Sequence, residues 1–178
     1  MKLVLIGTDH RLQTSVAQDA RTRVWMPRDG GHRYRKLLAY CLDKLSAKAI
    51  LEETHPKQEE TAPTIASTMA KERGLVWRSL GIGEPGLFDA LLDPPLAEAF
   101  HAKVKPEILA GVYSVEFQKV REDFMHTTIM VAVRKYDSVL AIVGFVHLGV
   151  LARMFEDERV SVTALLFTYP LVVDETKS

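Results

Sequence analysis

The sequence predicts an α/β fold in which a mostly parallel sheet is covered by helices on both faces. Aliphatic runs without polar alternation, typical of strands buried on both faces, lie at residues 3–6, 49–51 and 139–143. Segments with apolar residues at helical spacing separate these runs. The chain has 178 residues, 47% hydrophobic and 26% charged, which predicts one compact domain over residues 1–178.

Each strand is a short aliphatic run that ends at a glycine, a proline or a polar turn. The long helix is predicted by apolar residues at steps of four, three, four and seven: Tyr113, Phe117, Val120, Phe124 and Val131. The predicted order is strand 3–6, a helix that ends near residue 45, strand 49–51, helix 61–73, strand 75–77, two short helices at 88–92 and 96–104, helix 113–135, strand 139–143, helix 148–155 and strand 160–169.

Charge and cysteine content narrow the classes of function. The 23 basic residues balance the 23 acidic residues, so no overall field draws the chain to nucleic acid or an anionic membrane. Cys41 is the only cysteine, which excludes an internal disulfide and fits a reducing compartment. No apolar run approaches the roughly 18 residues of a membrane helix. We therefore expect a cytoplasmic protein without a membrane partner, and the oligomeric state stays open.

Two histidines follow aliphatic strands through the same four-residue frame. The frames are Gly7-Thr8-Asp9-His10 and Gly144-Phe145-Val146-His147. Glycine lets a backbone turn sharply off a strand, so a histidine three residues later can point back over the edge of the sheet. His55 leaves the second strand at a comparable place, next to Glu52 and Glu53. Because parallel strands end at one edge, the sequence predicts that these groups share one rim.

Imidazoles and carboxylates at one rim suit two kinds of chemistry. They can bind a divalent metal such as zinc, manganese or cobalt and an activated water. The predicted ligands are His10, Glu53 and His147, with His55 as a weaker fourth. Without metal, the same groups can act as general acid and base. The structural alternative for each histidine is a loop cap.

The sequence also resembles the TraB/TIKI (GumN-like) family and its wider relatives, the ChaN and erythromycin-esterase-like proteins. The segments that carry the resemblance are residues 3–10, 50–53, 121–125 and 139–149. The resemblance implies an α/β fold in which two Gly-x-x-His histidines, a glutamate and a helix arginine share one pocket. It also implies hydrolysis of ester or peptide bonds, metal-assisted in the TIKI branch. The matching residues here are His10, His147, Glu52 or Glu53, and Arg121.

These observations predict a hydrolase that acts on a small molecule or a peptide. The expected catalytic residues are His10, Glu53, Arg121 and His147, and the expected binding residues include Glu52 and Asp9. Arg121 taken alone fits either an ion pair on the helix surface or a clamp for an anion or oxyanion. The alternative function is a non-catalytic module that binds an anionic ligand, nucleic acid or a protein partner.

Residues 21–36 form a locally basic segment, with six basic residues against Asp29 and with Trp25 and Tyr34 between them. Basic and aromatic residues together can bind nucleic acid. A second interpretation is a lid hinged at Gly30-Gly31 that attracts an anionic substrate through Arg33 and Arg35. A third is a solvated loop that leads into a helix. We leave all three open from sequence.

Overall fold

The computed structural model describes residues 1–9, 31–54, 63–80, 95–96, 98–100, 102–103, 114–156 and 158–168. Within these ranges one sheet contains five strands: β1 Lys2–Thr8, β2 Ala49–Glu52, β3 Val76–Ser79, β4 Ser138–Gly144 and β5 Ser161–Leu166. The helices with fully described bounds are α1 His32–Leu45, α2 Ile65–Arg73, α3 Val115–Tyr136 and α4 Phe145–Met154. The described residues between 95 and 103 are also helical.

The five strands pair in parallel, in the order β3-β2-β4-β1-β5. Helices α1 and α2 pack on one face of the sheet, and α3 and α4 pack on the other. This arrangement confirms the predicted α/β fold. The neighbouring strands β1 and β4 are where the direction of the chain reverses. After β1 the chain passes through α1 to β2, on one side and one face of the sheet. After β4 it passes through α4 to β5, on the other side and the other face. In such sheets the ligand crevice lies at the carboxyl ends of the two strands where the direction reverses.

Two helices begin at hydroxyl caps, as their sequences allow. The Thr64 hydroxyl accepts from the Ser67 amide at 3.0 Å before α2, and the Ser114 hydroxyl accepts from the Phe117 amide at 3.0 Å before α3. Helix α2 ends at Arg73, the predicted end, and the Gly74 that caps it has a φ of 64°, in the left-handed region. None of the described helices is long and apolar enough to span a membrane.

Gly7 has a different role from the turn predicted for it. It lies inside β1, paired with Val143 on one side and Leu166 on the other. A Cβ atom at Gly7 would lie 2.9 Å from Cβ of Leu148, which belongs to α4. The prediction of a turn was wrong. Glycine is needed at this position because a side chain would collide with Leu148, and without one α4 lies directly on β1.

Helix α4 begins three residues earlier than the sequence predicted. Gly144 is both the last residue of β4 and the N-cap of the helix, with φ −56° and ψ 139°. The chain therefore passes from strand to helix without a loop. His147 lies in the first turn of α4, and not on a turn before it. The histidine is thus held on a rigid element directly above the carboxyl end of β4.

The basic segment is helical in the part that the structure describes. Gly31, at φ 82°, is the N-cap of α1, so residues 32–36 belong to the helix. The expectation of one continuous loop or lid over residues 21–36 is therefore wrong for this part, and residues 21–30 lie outside the described ranges. Arg35 forms an ion pair with Glu72 of α2, which neutralises part of the basic excess.

His126 of α3 packs against Phe155, which follows the last residue of α4. Its ring centroid lies 4.6 Å from that of Phe155. Burial lowers the pKa of His126 below its usual value, although Glu158, Asp123 and a hydrogen bond to the Met154 backbone act in the opposite direction; Arg134 adds to the lowering. The neutral imidazole is therefore the form that this packing favours.

We expect His126 to make the protein less stable as the medium becomes acidic. In the folded state its pKa lies below the ordinary value near 6.5. Its contribution to the free energy of unfolding is therefore complete above pH 6.5 and is lost as the pH falls from there through the folded-state pKa. His126→Gln removes the titration while keeping an amide donor. Urea unfolding between pH 7 and mildly acidic pH should show a smaller loss of stability for the variant than for the wild type. Equal losses would contradict the assignment.

Candidate functional site

Glu53 lies at the centre of the candidate site, directly after β2. Its side chain is 2% exposed. The Arg121 guanidinium donates to Oε1, and the backbone amide of Gly144 donates to Oε2 at 2.6 Å. The carboxylate thus joins β2, α3 and the junction of β4 with α4. A buried carboxylate with a guanidinium and a backbone amide is held in one orientation.

His147 lies between two carboxylates. Its Nδ1 is 2.9 Å from Oε1 of Glu122, and its Nε2 is 3.7 Å from Oε1 of Glu53. The side chain is 4% exposed. With the proton on Nδ1, the ring donates to Glu122, and Nε2 keeps its lone pair on the side of Glu53. Glu122 can therefore select the tautomer in which Nε2 is a base.

Arg121 reaches the same carboxylate oxygen as His147. Its side chain is 25% exposed and that of His147 is 4% exposed, so the guanidinium is the more accessible of the two groups that contact Glu53 Oε1. The guanidinium carbon lies 5.7 Å from the centroid of the Phe117 ring, and Nη1 is 3.4 Å from Oε1 of Gln118. These contacts from residues one turn earlier in α3 fix the arginine. It can present N–H donors to a ligand while its charge stays paired.

Glu52, the other candidate glutamate, points to the opposite face of the sheet. Its Oε2 accepts from the Thr64 hydroxyl at 2.5 Å and from Trp77 Nε1 at 2.9 Å. These bonds connect the end of β2 to the start of α2. Burial, and secondarily the charge of Glu52, raises the pKa of Tyr34 well above its usual value. The geometry brings Glu53, and not Glu52, together with Arg121 and His147.

The other predicted site residues are placed as follows. Asp9 follows β1, whose last residue Thr8 pairs with Gly144, so β1 and β4 end at the same level of the sheet. Arg33 and Arg35 lie on exposed positions of α1. His10 and His55 fall outside the described residues. The convergence of His10 with His147 therefore stays a prediction.

The predicted metal set can be tested only for Glu53 and His147. Across the described ranges, no group of three or more His, Cys, Asp or Glu side chains is arranged to hold a metal ion. Each Glu53 oxygen already accepts from a donor, and His147 Nδ1 already faces Glu122. A divalent cation at Glu53 would meet the Arg121 guanidinium. A zinc, manganese or cobalt site therefore stays a prediction that depends on His10 and His55, which lie outside the described residues.

Glu122 is the residue that sequence reasoning missed. The pattern of α3 placed it on the helix face that carries Glu116 and Lys119, away from the apolar stripe. Its side chain is only 16% exposed because it packs against the His147 ring. The available signal was its position directly after Arg121, since two consecutive polar residues on a helix can both reach one rim.

Comparisons with protein-family models, with curated proteins and with solved structures give no match for this chain. The functional interpretation therefore depends on the geometry of the site.

Proposed function

We propose that the Glu53–Arg121–His147 site hydrolyses an acyl bond, of the ester or peptide class, with His147 as the general base. The observation that carries the proposal is the convergence of Arg121 and His147 on one buried oxygen of Glu53. An oriented base beside a fixed cationic donor is the arrangement that water attack on a carbonyl needs. The resemblance to the TraB/TIKI family is consistent with this activity.

The reaction can be written with this chain's own groups. Nε2 of His147 takes a proton from a water whose oxygen forms a bond to the acyl carbon, and the carbonyl electron pair moves to oxygen. Arg121 donates hydrogen bonds to that oxyanion, while Glu53 holds the guanidinium in place. The intermediate then collapses, the bond to the leaving oxygen or nitrogen breaks, and the imidazolium returns the proton to the leaving group.

Glu122 acts here through His147. Its carboxylate accepts from Nδ1, so it keeps the ring in the orientation and tautomer that leave Nε2 available. It also faces the positive charge that the ring acquires when it accepts the proton. Glu122 is thus a positioning residue, and the sequence of groups runs from Glu122 through His147 to the water.

The alternative, binding of an anionic ligand without turnover, is less well supported by the charges. The described part of the site contains two carboxylates and one guanidinium: Glu53 pairs with Arg121, and Glu122 contacts His147. A free anion would have to compete with Glu53 for Arg121. A neutral carbonyl, which becomes negative only during the reaction, fits this charge balance better.

A hydrolase screen tests the proposal directly. Protein purified without an affinity tag or chelator is assayed for metal content and then against p-nitrophenyl esters and peptide amides, with and without EDTA. We expect turnover that survives EDTA and that falls strongly in His147→Gln. Turnover lost with EDTA would assign the chemistry to a metal instead. An absence of turnover across the screen, or equal turnover in the wild type and His147→Gln, would contradict the proposal.

A further inference from the structure

In the part of the chain that the structure describes, no strand pairs with the outer edge of β5. The Ser161 amide donates to the Met1 carbonyl at 3.1 Å, and the Phe167 amide donates to the Gly7 carbonyl at 2.9 Å. Because backbone groups alternate in direction along a strand, those of Val162, Ala164 and Leu166 point away from β1. Within the described part of the chain, β5 is the last strand on this side of the sheet. Its outer N–H and C=O groups therefore face a position where another strand can pair.

The sequence of β5 does not protect this edge. Residues 161–166 contain no charged residue, proline or glycine, and Leu166 is 60% exposed. Natural edge strands are usually short, charged, bulged or covered, because an open apolar edge pairs with other chains. The opposite edge strand, β3, follows the usual pattern, since it is only four residues long and carries Arg78.

We propose that two copies of this chain form a twofold dimer by antiparallel pairing of β5 with β5, centred on Ala164. This register uses every outward-facing residue of the strand, because Ala164 lies midway between Val162 and Leu166. Each of the three then donates and accepts one backbone hydrogen bond across the dimer axis.

The same register also matches the side chains. It places the exposed Leu166 of one copy opposite Val162 of the other, on the face of the sheet that α4 covers. No charge meets a like charge, because β5 has none. An isologous contact of this kind closes on itself and gives a dimer, whereas pairing of β5 with the other edge strand, β3, would leave an edge free on each copy and continue into a filament. The two sheets become one continuous sheet.

A cross-linking experiment tests the register. At the dimer axis, the two Ala164 Cα atoms lie about 5.5 Å apart, which suits a disulfide. Ala164→Cys should therefore form a covalent dimer on mild oxidation. Thr163→Cys is the matched control, because the two Thr163 side chains are diagonal neighbours roughly 7–8 Å apart, too far for a disulfide. The native Cys41 is buried and takes no part.

Sedimentation equilibrium tests the dimer itself. The wild type should be dimeric at high micromolar concentration, and Ala164→Asp should be monomeric because it places two carboxylates opposite each other at the axis. Ala164 is exposed, so the circular dichroism spectrum of the variant should match that of the wild type. A monomeric wild type, a dimer that persists in Ala164→Asp, or equal cross-linking of the two cysteine variants would each overturn the proposal.

Discussion

Arg121→Met should lower the free energy of unfolding by about 3 to 5 kcal/mol, because it removes the charged partner of a buried carboxylate. Glu53 is 2% exposed and accepts from the Arg121 guanidinium. Methionine keeps most of the packing of the arginine stem but leaves the Glu53 charge to the Gly144 amide and His147. Urea denaturation measures the loss, which corresponds to a fall in melting temperature on the order of 10 °C.

Arg73→Met is the matched control for this prediction. Arg73 also lies on a helix and pairs with Asp43 at 2.5 Å, but the two side chains are 33% and 69% exposed. Exposed pairs of this kind contribute less than about 1 kcal/mol. Adding Glu53→Gln to Arg121→Met should recover part of the stability, since the buried charge is then absent. If Arg121→Met costs no more than Arg73→Met, the pair is not the structural centre of the site.

The convergence at the carboxyl rim could be predicted from the sequence because all parallel strands end at the same edge of the sheet. Aliphatic runs that are buried on both faces indicate parallel strands, and parallel strands end at one edge. Residues that follow such runs, such as Glu53 and His147, therefore come close together in any arrangement that places β2 and β4 side by side. The fold class and this part of the site follow from the same pattern.

The choice between Glu52 and Glu53 could not be made from the sequence. Side chains alternate between the two faces of a strand, so adjacent residues serve opposite layers. In a half-exposed strand, polar alternation shows which face is which. Every residue of β2 is buried, and the run Ala49-Ile50-Leu51 is apolar at every position. Only the packing of α2 on one face and α3 on the other decides that Glu53 meets Arg121.

The roles of Gly7 and Glu122 depend on contacts between elements far apart in the sequence. A glycine after an aliphatic run fits a turn as well as a close helix contact, and the distinction requires knowing that Leu148 lies above it. Glu122 has the spacing of a solvent-facing residue, and its position against His147 results from the crossing of α3 and α4. Local periodicity carries no information about either contact.

His147→Gln should lower kcat for acyl hydrolysis by about 10²- to 10⁴-fold, the usual contribution of a general base. Glutamine can still donate to Glu122, but it cannot accept the proton of the attacking water. KM should change little, because Arg121 and Glu53 keep their contact. The measurement is steady-state kinetics on the best substrate of the screen. The melting temperature should stay within a few degrees, a shift that corresponds to roughly 1 kcal/mol.

Two substitutions of Glu122 separate catalysis from general stability. Glu122→Leu should lower kcat to nearly the level of His147→Gln, because nothing then holds Nδ1 and the ring loses its tautomer preference. Glu122→Gln should recover part of that loss with KM unchanged, since its amide oxygen still accepts from Nδ1. A merely structural glutamate would change stability and kcat in proportion, without this recovery. The order of activity from wild type through Glu122→Gln to Glu122→Leu therefore tests whether Glu122 acts through the imidazole.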